Sequence, residues 1–363
     1  MRFPEFSEEW EYKSLGEIGE SLIGLTYSPS DVVKEGGTIV FRSSNIQDGV
    51  INYGDLVRVS KKIKDSIITR DGDLLICARN GSTRLIGKNA LLKKSDEGQT
   101  FGAFMMVFRS IDNRFVHQLL STKAYSTQVS ENLGARINQI TTRNFAEYTF
   151  GMPQTSEEKE KIGTFLELIN DRIETQSKII EEQETLLKSL ADSLISSQVA
   201  NMALNDSVVA RSSTMKESEI ENSGPFPAFG ASGLCGYSNE ALEESDSILV
   251  TKDGSGVGTC QYATGAHSFL GTLCSLTAKE GTYLPYVYYA LLNFNFASFK
   301  TGLAIPHIYF KDYGNAIIYC PSYDEQVRIA SGLEKIEAKI KSEKEILKQY
   351  QLQKEYLLSR MFI

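Results

Sequence analysis

The sequence predicts an α+β protein in which two mixed α/β globular parts are separated and connected by two long helices. These helices pair as an antiparallel intramolecular coiled coil. Three observations lead there: an internal repeat, an apolar heptad inside each copy of it, and short apolar strands that end in matching polar loops. At 363 residues, with 41% apolar and 23% charged residues, the chain has room for two domains of ordinary size.

The repeat is clearest from Pro153 and Pro321 onward. Each proline opens a polar turn with a serine and an acid, and an offset of 167 then aligns the two copies without a gap. The first copy places Ile162, Leu166, Ile169, Ile173, Gln176, Ile180, Gln183, Leu187, Leu190 and Leu194 at alternating steps of four and three. The second places Ile329, Leu333, Ile336, Ile340, Glu343, Leu347, Tyr350, Lys354, Leu357 and Met361 at the same steps. That is an a/d seam. A helix of about 38 residues runs roughly 57 Å and needs a partner. Equal length and phase favour pairing within one chain over a homodimer, and the intervening residues leave room for an antiparallel return. Gln176 and Glu343, polar at the same seam position, are expected to set register.

Upstream, the stretches from Gly134 and from Gly302 each lie 19 residues before their proline. The stretch Gly72-Asp73-Leu74-Leu75-Ile76-Cys77-Ala78-Arg79-Asn80-Gly81-Ser82 parallels Ser245-Asp246-Ser247-Ile248-Leu249-Val250-Thr251-Lys252-Asp253-Gly254-Ser255, and Gly102 parallels Gly271. The expected division is residues 1–152, a long helix within 153–204, residues 205–320, and a second long helix within 321–363. Strands are predicted near 38–42, 74–78, 104–109, 247–251, 273–276 and 316–320, and helices near 114–126 and 285–293. The second half offers no evident counterpart to Trp10 and Leu15-Gly16, and enters through a polar stretch at 205–223.

Many enzyme classes lack their signatures. There is no GxxxxGK[ST] loop, GxGxxG fingerprint, HExxH, GxSxG or Asn/Asp-Pro-Pro-aromatic tetrapeptide. A hydrolase using Ser255 or Cys260 with His267 or His307 is a remote alternative. Cys77, Cys235, Cys260, Cys274 and Cys320 are scattered, with no CxxC pair; a cytoplasmic chain without metal or disulfides is expected. The acidic beginning is not a secretory signal, and no apolar stretch is long enough for a bilayer.

A net charge of −8 argues against nucleic-acid binding by bulk charge, yet the charge is uneven. Residues 1–152 carry +1, and 205–320 carry −5. Between Val57 and Lys94 there are ten cations and three acids. A solvated face would explain such a run, but the loop Arg79-Asn80-Gly81-Ser82-Thr83-Arg84 favours contact with DNA. Arg suits guanine O6/N7, Asn suits adenine N6/N7, and clustered cations release counterions from phosphates. The DNA-contacting candidates in the first part are Arg42, Ser43, Ser44, Asn45, Arg79, Asn80, Ser82, Thr83, Arg84, Arg136, Asn138 and Gln139. In the second part they are Phe229, Ser232, Lys252, Ser255, Lys300, His307 and Tyr309.

Two globular halves, each closed by a proline and a long helix, resemble the specificity subunit of a type I restriction–modification enzyme. The residues carrying the resemblance are Arg2-Phe3-Pro4-Glu5-Phe6, Trp10, Leu15-Gly16-Glu17-Ile18, Gly72-Asp73-Leu74-Leu75 and the two segments 153–194 and 321–361. The family's acid-Glu-Gln helix start is present as Asp324-Glu325-Gln326, whereas the first copy has Ser156-Glu157-Glu158. The resemblance implies two target recognition domains that read a split, asymmetric duplex sequence, with the helices setting the interval between its parts. It implies partners as well: double-stranded DNA, two modification subunits and restriction subunits, with no membrane. The S-adenosylmethionine site and the adenine methylation belong to the modification subunit; this chain is expected to bind no cofactor and carry no catalytic residue. The acidic second part motivates one alternative, a coiled-coil scaffold that assembles proteins without touching DNA.

Overall fold

The structure, a computed structural model, describes residues 1–133, 138–302 and 305–362. It has two compact units. One comprises Met1–Thr175 with Leu347–Ile363, the other Gln176–Ile346. Both long helices pass through both units: the first is Ser156–Ala191, the second Tyr323–Met361.

In the first unit a four-stranded antiparallel sheet has the order Glu20–Ile23, Met105–Arg109, Leu74–Cys77, Asn89–Leu91. The run Leu74-Leu75-Ile76-Cys77 is apolar throughout because both faces of the sheet are covered. Strand periodicity sends Leu74, Ile76, Met106 and Phe108 into one core, with Leu15, Phe115, Ile162 and Leu166. It sends Leu75, Cys77, Met105 and Val107 into another, with Phe41, Ile46 and Phe101. A second sheet joins Thr100–Phe101, Thr38–Phe41, Val57–Val59 and Val32–Val33; its first pair is parallel. The expected helix at 114–126 is two helices, Asn113–Leu119 and Lys123–Asn132, broken where Thr122 caps the second through Tyr125 N–H.

The second unit repeats this plan. Its antiparallel sheet has the order Val208–Ser212, Leu273–Ala278, Ser247–Thr251, Cys260–Ala263, and Phe226–Gly230 pairs in parallel with Ser268–Phe269. The expectation that the second half lacks the opening element is corrected. Leu15 N–H donates to Tyr148 O at 2.9 Å, and Leu204 N–H donates to Ala316 O at 3.0 Å. Each leucine is fully buried and starts a one-turn helix, Leu15–Ile18 or Leu204–Ser207. The preceding strand pairs Glu11–Ser14 with Thr149–Met152 in one unit and Met202–Ala203 with Ile317–Ile318 in the other. The second globular part therefore begins before residue 205. Most of the unpredicted strands are short and polar on one face, which hides them from an apolar-run search.

Within the first unit, Ile162, Leu166 and Ile169 near the start of the first helix share a core with Leu357 and Met361 near the end of the second; Ile173 packs against it. In the second unit Gln176 Nε2 donates to Glu343 Oε2 at 2.6 Å and to Glu343 O at 3.1 Å, joining the two polar seam positions. Ile180, Leu187, Ile329, Leu333 and Ile340 are buried there, and Leu190 and Ile336 half-buried; Leu347, half-buried, falls in the first unit. The start of the first helix meets the end of the second, and Gln176 meets Glu343 near the middle of both, so the pairing is antiparallel and internal to one chain. Leu194 departs from the expected seam. The first helix ends in a π-turn, Asp192–Ser196, which adds a residue to the turn; Ile195 is buried and Leu194 is 41% exposed.

The long helices are tied to the sheets by polar groups. Lys159, buried, pairs with Asp112 Oδ2 at 2.6 Å, immediately before the helix Asn113–Leu119. At the offset of 167, buried Gln326 accepts from Tyr283 N–H at 2.9 Å, immediately before the helix Leu284–Leu292. Glu157-Glu158-Lys159 is thus the first copy's version of Asp324-Glu325-Gln326. Glu158 accepts from Arg2 Nε and Nη2, both at 2.7 Å, and from Trp10 Nε1 at 3.2 Å, which ties those two residues to the first turn of the long helix. Asp73 takes a bidentate pair from Arg109 (2.8 and 2.9 Å), while Arg109 also donates to Ser66 O and Ile68 O.

Two outcomes are expected. Asp73→Ala strands a buried guanidinium and lowers the unfolding free energy by about 3–5 kcal/mol, read by urea denaturation. His117 is buried in the first unit, and burial, aided by Lys354, pushes its imidazole down to about 4 from 6.5. The unfolded chain therefore binds a proton between those values that the folded chain refuses. Stability is fully present above pH 6.5 and falls as pH drops toward 4. In His117→Gln this part of the slope, at most about 1.4 kcal/mol per pH unit, disappears from a stability–pH profile.

Candidate nucleic-acid interface

In the first unit the loop after strand Leu74–Cys77 is built from three converging segments. Ala78 and Arg79 N–H both donate to Phe104 O at 3.0 Å, and Ile140 N–H donates to Ala78 O at 2.8 Å, so Arg79 bridges to Gln139. A fourth segment joins through Asn80, whose Nδ2 donates to Ser43 Oγ at 3.0 Å while its Oδ1 caps Ser82 N–H at 3.0 Å. The Arg79 guanidinium lies 5.1 Å from the centre of the Phe104 ring, and that ring is 59% exposed. Ser44, Ser82, Thr83, Arg84 and Asn138 are exposed around it. This is a surface of donors, acceptors and one aromatic face, able to meet base edges and phosphates.

Three candidates read differently. Asn45 is fully buried, its Nδ2 donating to Asn52 O and Asp55 O and its Oδ1 accepting from Arg42 N–H; it shapes the turn and has nothing left for a base, a correction to the expectation. Arg42 pairs with Asp55 at 2.6 Å. Arg136 lies outside the described residues. Part of the basic run is also neutralised: Lys61 pairs with Asp31, Lys93 with Glu174 and Lys94 with Glu97. Phe104, which the sequence reading placed inside a strand, is the residue it missed. Its signal was a large aromatic standing just after Gly102-Ala103, outside the strand Met105–Arg109.

The second unit builds the same corner. Lys252 N–H donates to Thr272 O and Ile308 N–H to Lys252 O, each at 2.9 Å; Asp253 bridges to His307, and Thr301 and His307 exchange a pair of 2.9 Å hydrogen bonds. Gly302, at φ +86°, allows that close turn; a Cβ there would stand 2.4 Å from Ile305 O. His307 and Tyr309 rings are 5.1 Å apart, Lys311 Nζ lies 5.3 Å from the centre of the Tyr309 ring, and Ser232, Ser255, Lys300 and Tyr309 are exposed. The hydrogen bonds make Lys252 the equivalent of Ala78, Asp253 of Arg79, Thr272 of Phe104 and His307 of Gln139. Matching the two Gly-Ser pairs had set Lys252 against Arg79, one residue out, because the glycines stand at different distances from the strand ends. Gly102 likewise matches Leu270, whose N–H donates to Phe229 O as that of Gly102 does to Phe41 O.

Phe229 is corrected too: its ring packs with Leu249, Ala263, Phe269 and Leu273 and edge-on against His267 at 5.8 Å. His267 is itself fully buried, with Nδ1 2.8 Å from Gly265 O and Nε2 2.8 Å from Ser247 Oγ. Its ring N–H must donate to the carbonyl, so the other nitrogen accepts from the serine: a tie between strands, closed to substrate. Burial pushes the Cys260 thiol up to about 12, which removes it as a nucleophile at neutral pH. Among the described residues no group of three His, Cys, Asp or Glu could hold a metal ion, and no helix is long and apolar enough to cross a membrane.

The sequence model of a family described as the type I restriction modification DNA specificity domain matches residues 7–185 and again 198–351. The chain belongs to this family. The two matches are two copies of the specificity domain, each holding one polar corner. The type I restriction enzyme EcoKI specificity subunit of Escherichia coli K12 is 28% identical over 177 residues, 46% of this chain and 38% of that protein, so the match spans little more than a third of that relative. In fold, the S subunit of a type I restriction–modification system from M. genitalium superposes with a TM-score of 0.70 at 19% identity, covering 100% of this chain and 99% of the other. A chain from a study of assembly and conformational transition in the type I restriction–modification system gives 0.53 at 15% identity, covering 98% of each.

Asn80 is the tie that can be cut without emptying a core. Asn80→Ala is expected to speed amide hydrogen exchange across residues 79–85 by roughly tenfold, a loss of about 1 kcal/mol locally, with the sheet strands unchanged.

Proposed function

We propose that this chain is the DNA-reading subunit of a type I restriction–modification complex, each specificity domain reading one part of a split, asymmetric duplex target. The observation that carries the reading is the duplicated corner: the same three-segment backbone scaffold occurs in both copies but presents different side chains. The constant part is structural and the variable part faces outward, as two readers of unlike half-sites require. Among the described residues neither corner joins a nucleophile to a base by a hydrogen bond, and this reading gives catalysis to partners. A modification subunit, in two copies, would bind S-adenosylmethionine and methylate adenine; restriction subunits would add cleavage; the assembly would work in the cytoplasm. The helices would hold both readers on one duplex, so that affinity arises from the two together. A scaffold that never touches DNA is not favoured, since both globular parts fall inside the specificity-domain matches.

The test is reconstitution of the full chain with its methyltransferase subunit. Duplex binding is expected to weaken steeply with salt, and Arg79→Ala to lose about 1–3 kcal/mol for the target and relax one position. Salt-independent binding, or an unchanged methylation motif in Arg79→Ala, would refute the reading.

A further inference from the structure

The inference rests on that reading and concerns which bases the two corners accept. Arg79 and Asp253 hold equivalent places: each follows the residue whose N–H donates to the loop residue before the Met105–Arg109 or Leu273–Ala278 strand, and each bridges to the segment that precedes the long helix. Their chemistry is opposite. A guanidinium has only donors; a carboxylate has only acceptors. In the major groove, guanine offers the acceptors O6 and N7, whereas cytosine and adenine offer an exocyclic amino donor.

We propose that Asp253 is a base-reading residue of the second specificity domain and selects a base presenting an exocyclic amino group, cytosine N4 or adenine N6, at the place where Arg79 in the first domain selects guanine. Asp253 is partly exposed, and among the described residues its carboxylate enters no ion pair, unlike Asp55, which is occupied by Arg42. A free carboxylate beside a polyanion is costly unless a donor meets it. The cost therefore falls on every base that shows only acceptors at that point, and exclusion of wrong bases accompanies acceptance of the right one. Lys252 on one side and Lys300 and Lys311 on neighbouring segments supply cations for phosphates in the same unit, so a domain of net −5 need not approach DNA through the acid alone.

The experiment is selection of bound duplexes from a randomised pool by the full chain in complex with its methyltransferase subunit, comparing wild type with Asp253→Ala, Asp253→Asn and Asp253→Glu. In Asp253→Ala, a preference of the order of tenfold for cytosine or adenine is expected to vanish at one position of one half-site, the other half-site being unchanged. The base recovered by wild type distinguishes the two amino donors. Asp253→Glu is expected to keep the preference. Should Asp253→Ala fail to fold, the isosteric Asp253→Asn decides: its amide adds a donor, and the exclusion of guanine relaxes. A wild-type motif left intact in Asp253→Ala or Asp253→Asn overturns this proposal alone. A wild-type complex that selects no motif overturns the DNA-reading assignment with it.

Discussion

One buried polar contact, made twice, governs how this protein is put together. A single residue in the first turn of each long helix, Lys159 or Gln326, reaches the N-terminal end of the helix that follows the central strand of its sheet. A buried ammonium or carboxamide must find its partner or bear the cost of desolvation, so the contact admits little variation in where the helix meets the sheet. Different chemistry in the two copies, a salt bridge in one and a neutral amide–backbone bond in the other, does the same mechanical task. Everything further along each helix inherits its position from this point.

The seam between the helices works by a second rule. Apolar burial supplies attraction without direction, and a uniform a/d stripe could slide by a heptad. The Gln176–Glu343 bond opposes that freedom: a heptad slide one way would set Gln176 against Ile336 and Glu343 against Ile169, and a slide either way breaks the bond. Stability and alignment thus come from different residues of one interface.

The two polar corners illustrate how a duplicated scaffold diverges. Backbone hydrogen bonds between the strand end, the loop before the next strand and the segment near the long helix recur almost atom for atom. Side chains at those positions are free to change because they point away from the packing: Arg79 and Phe104 in one copy, Asp253 and Thr272 in the other. Asn45, fully buried, and Phe229, partly buried against a core cluster, belong to the scaffold even though they sit beside the variable positions.

The heptads, the prolines that open them and the strands Leu74–Cys77 and Ser247–Thr251 were legible in the sequence, because helix and strand periodicities act locally and leave their spacing in the chain. The internal pairing followed from equal length and phase. The opening element around Leu204, the π-turn that exchanges Leu194 for Ile195, and the true partner of Arg79 in the second copy were decided only in three dimensions. Each depends on a hydrogen bond or a core contact between segments far apart along the chain, and the spacing of neighbouring residues carries no record of it. For the same reason the sequence alone determined which residue types stand in the polar loops, while the tertiary structure decided which of them are spent holding the loops in place and which remain free to meet a partner.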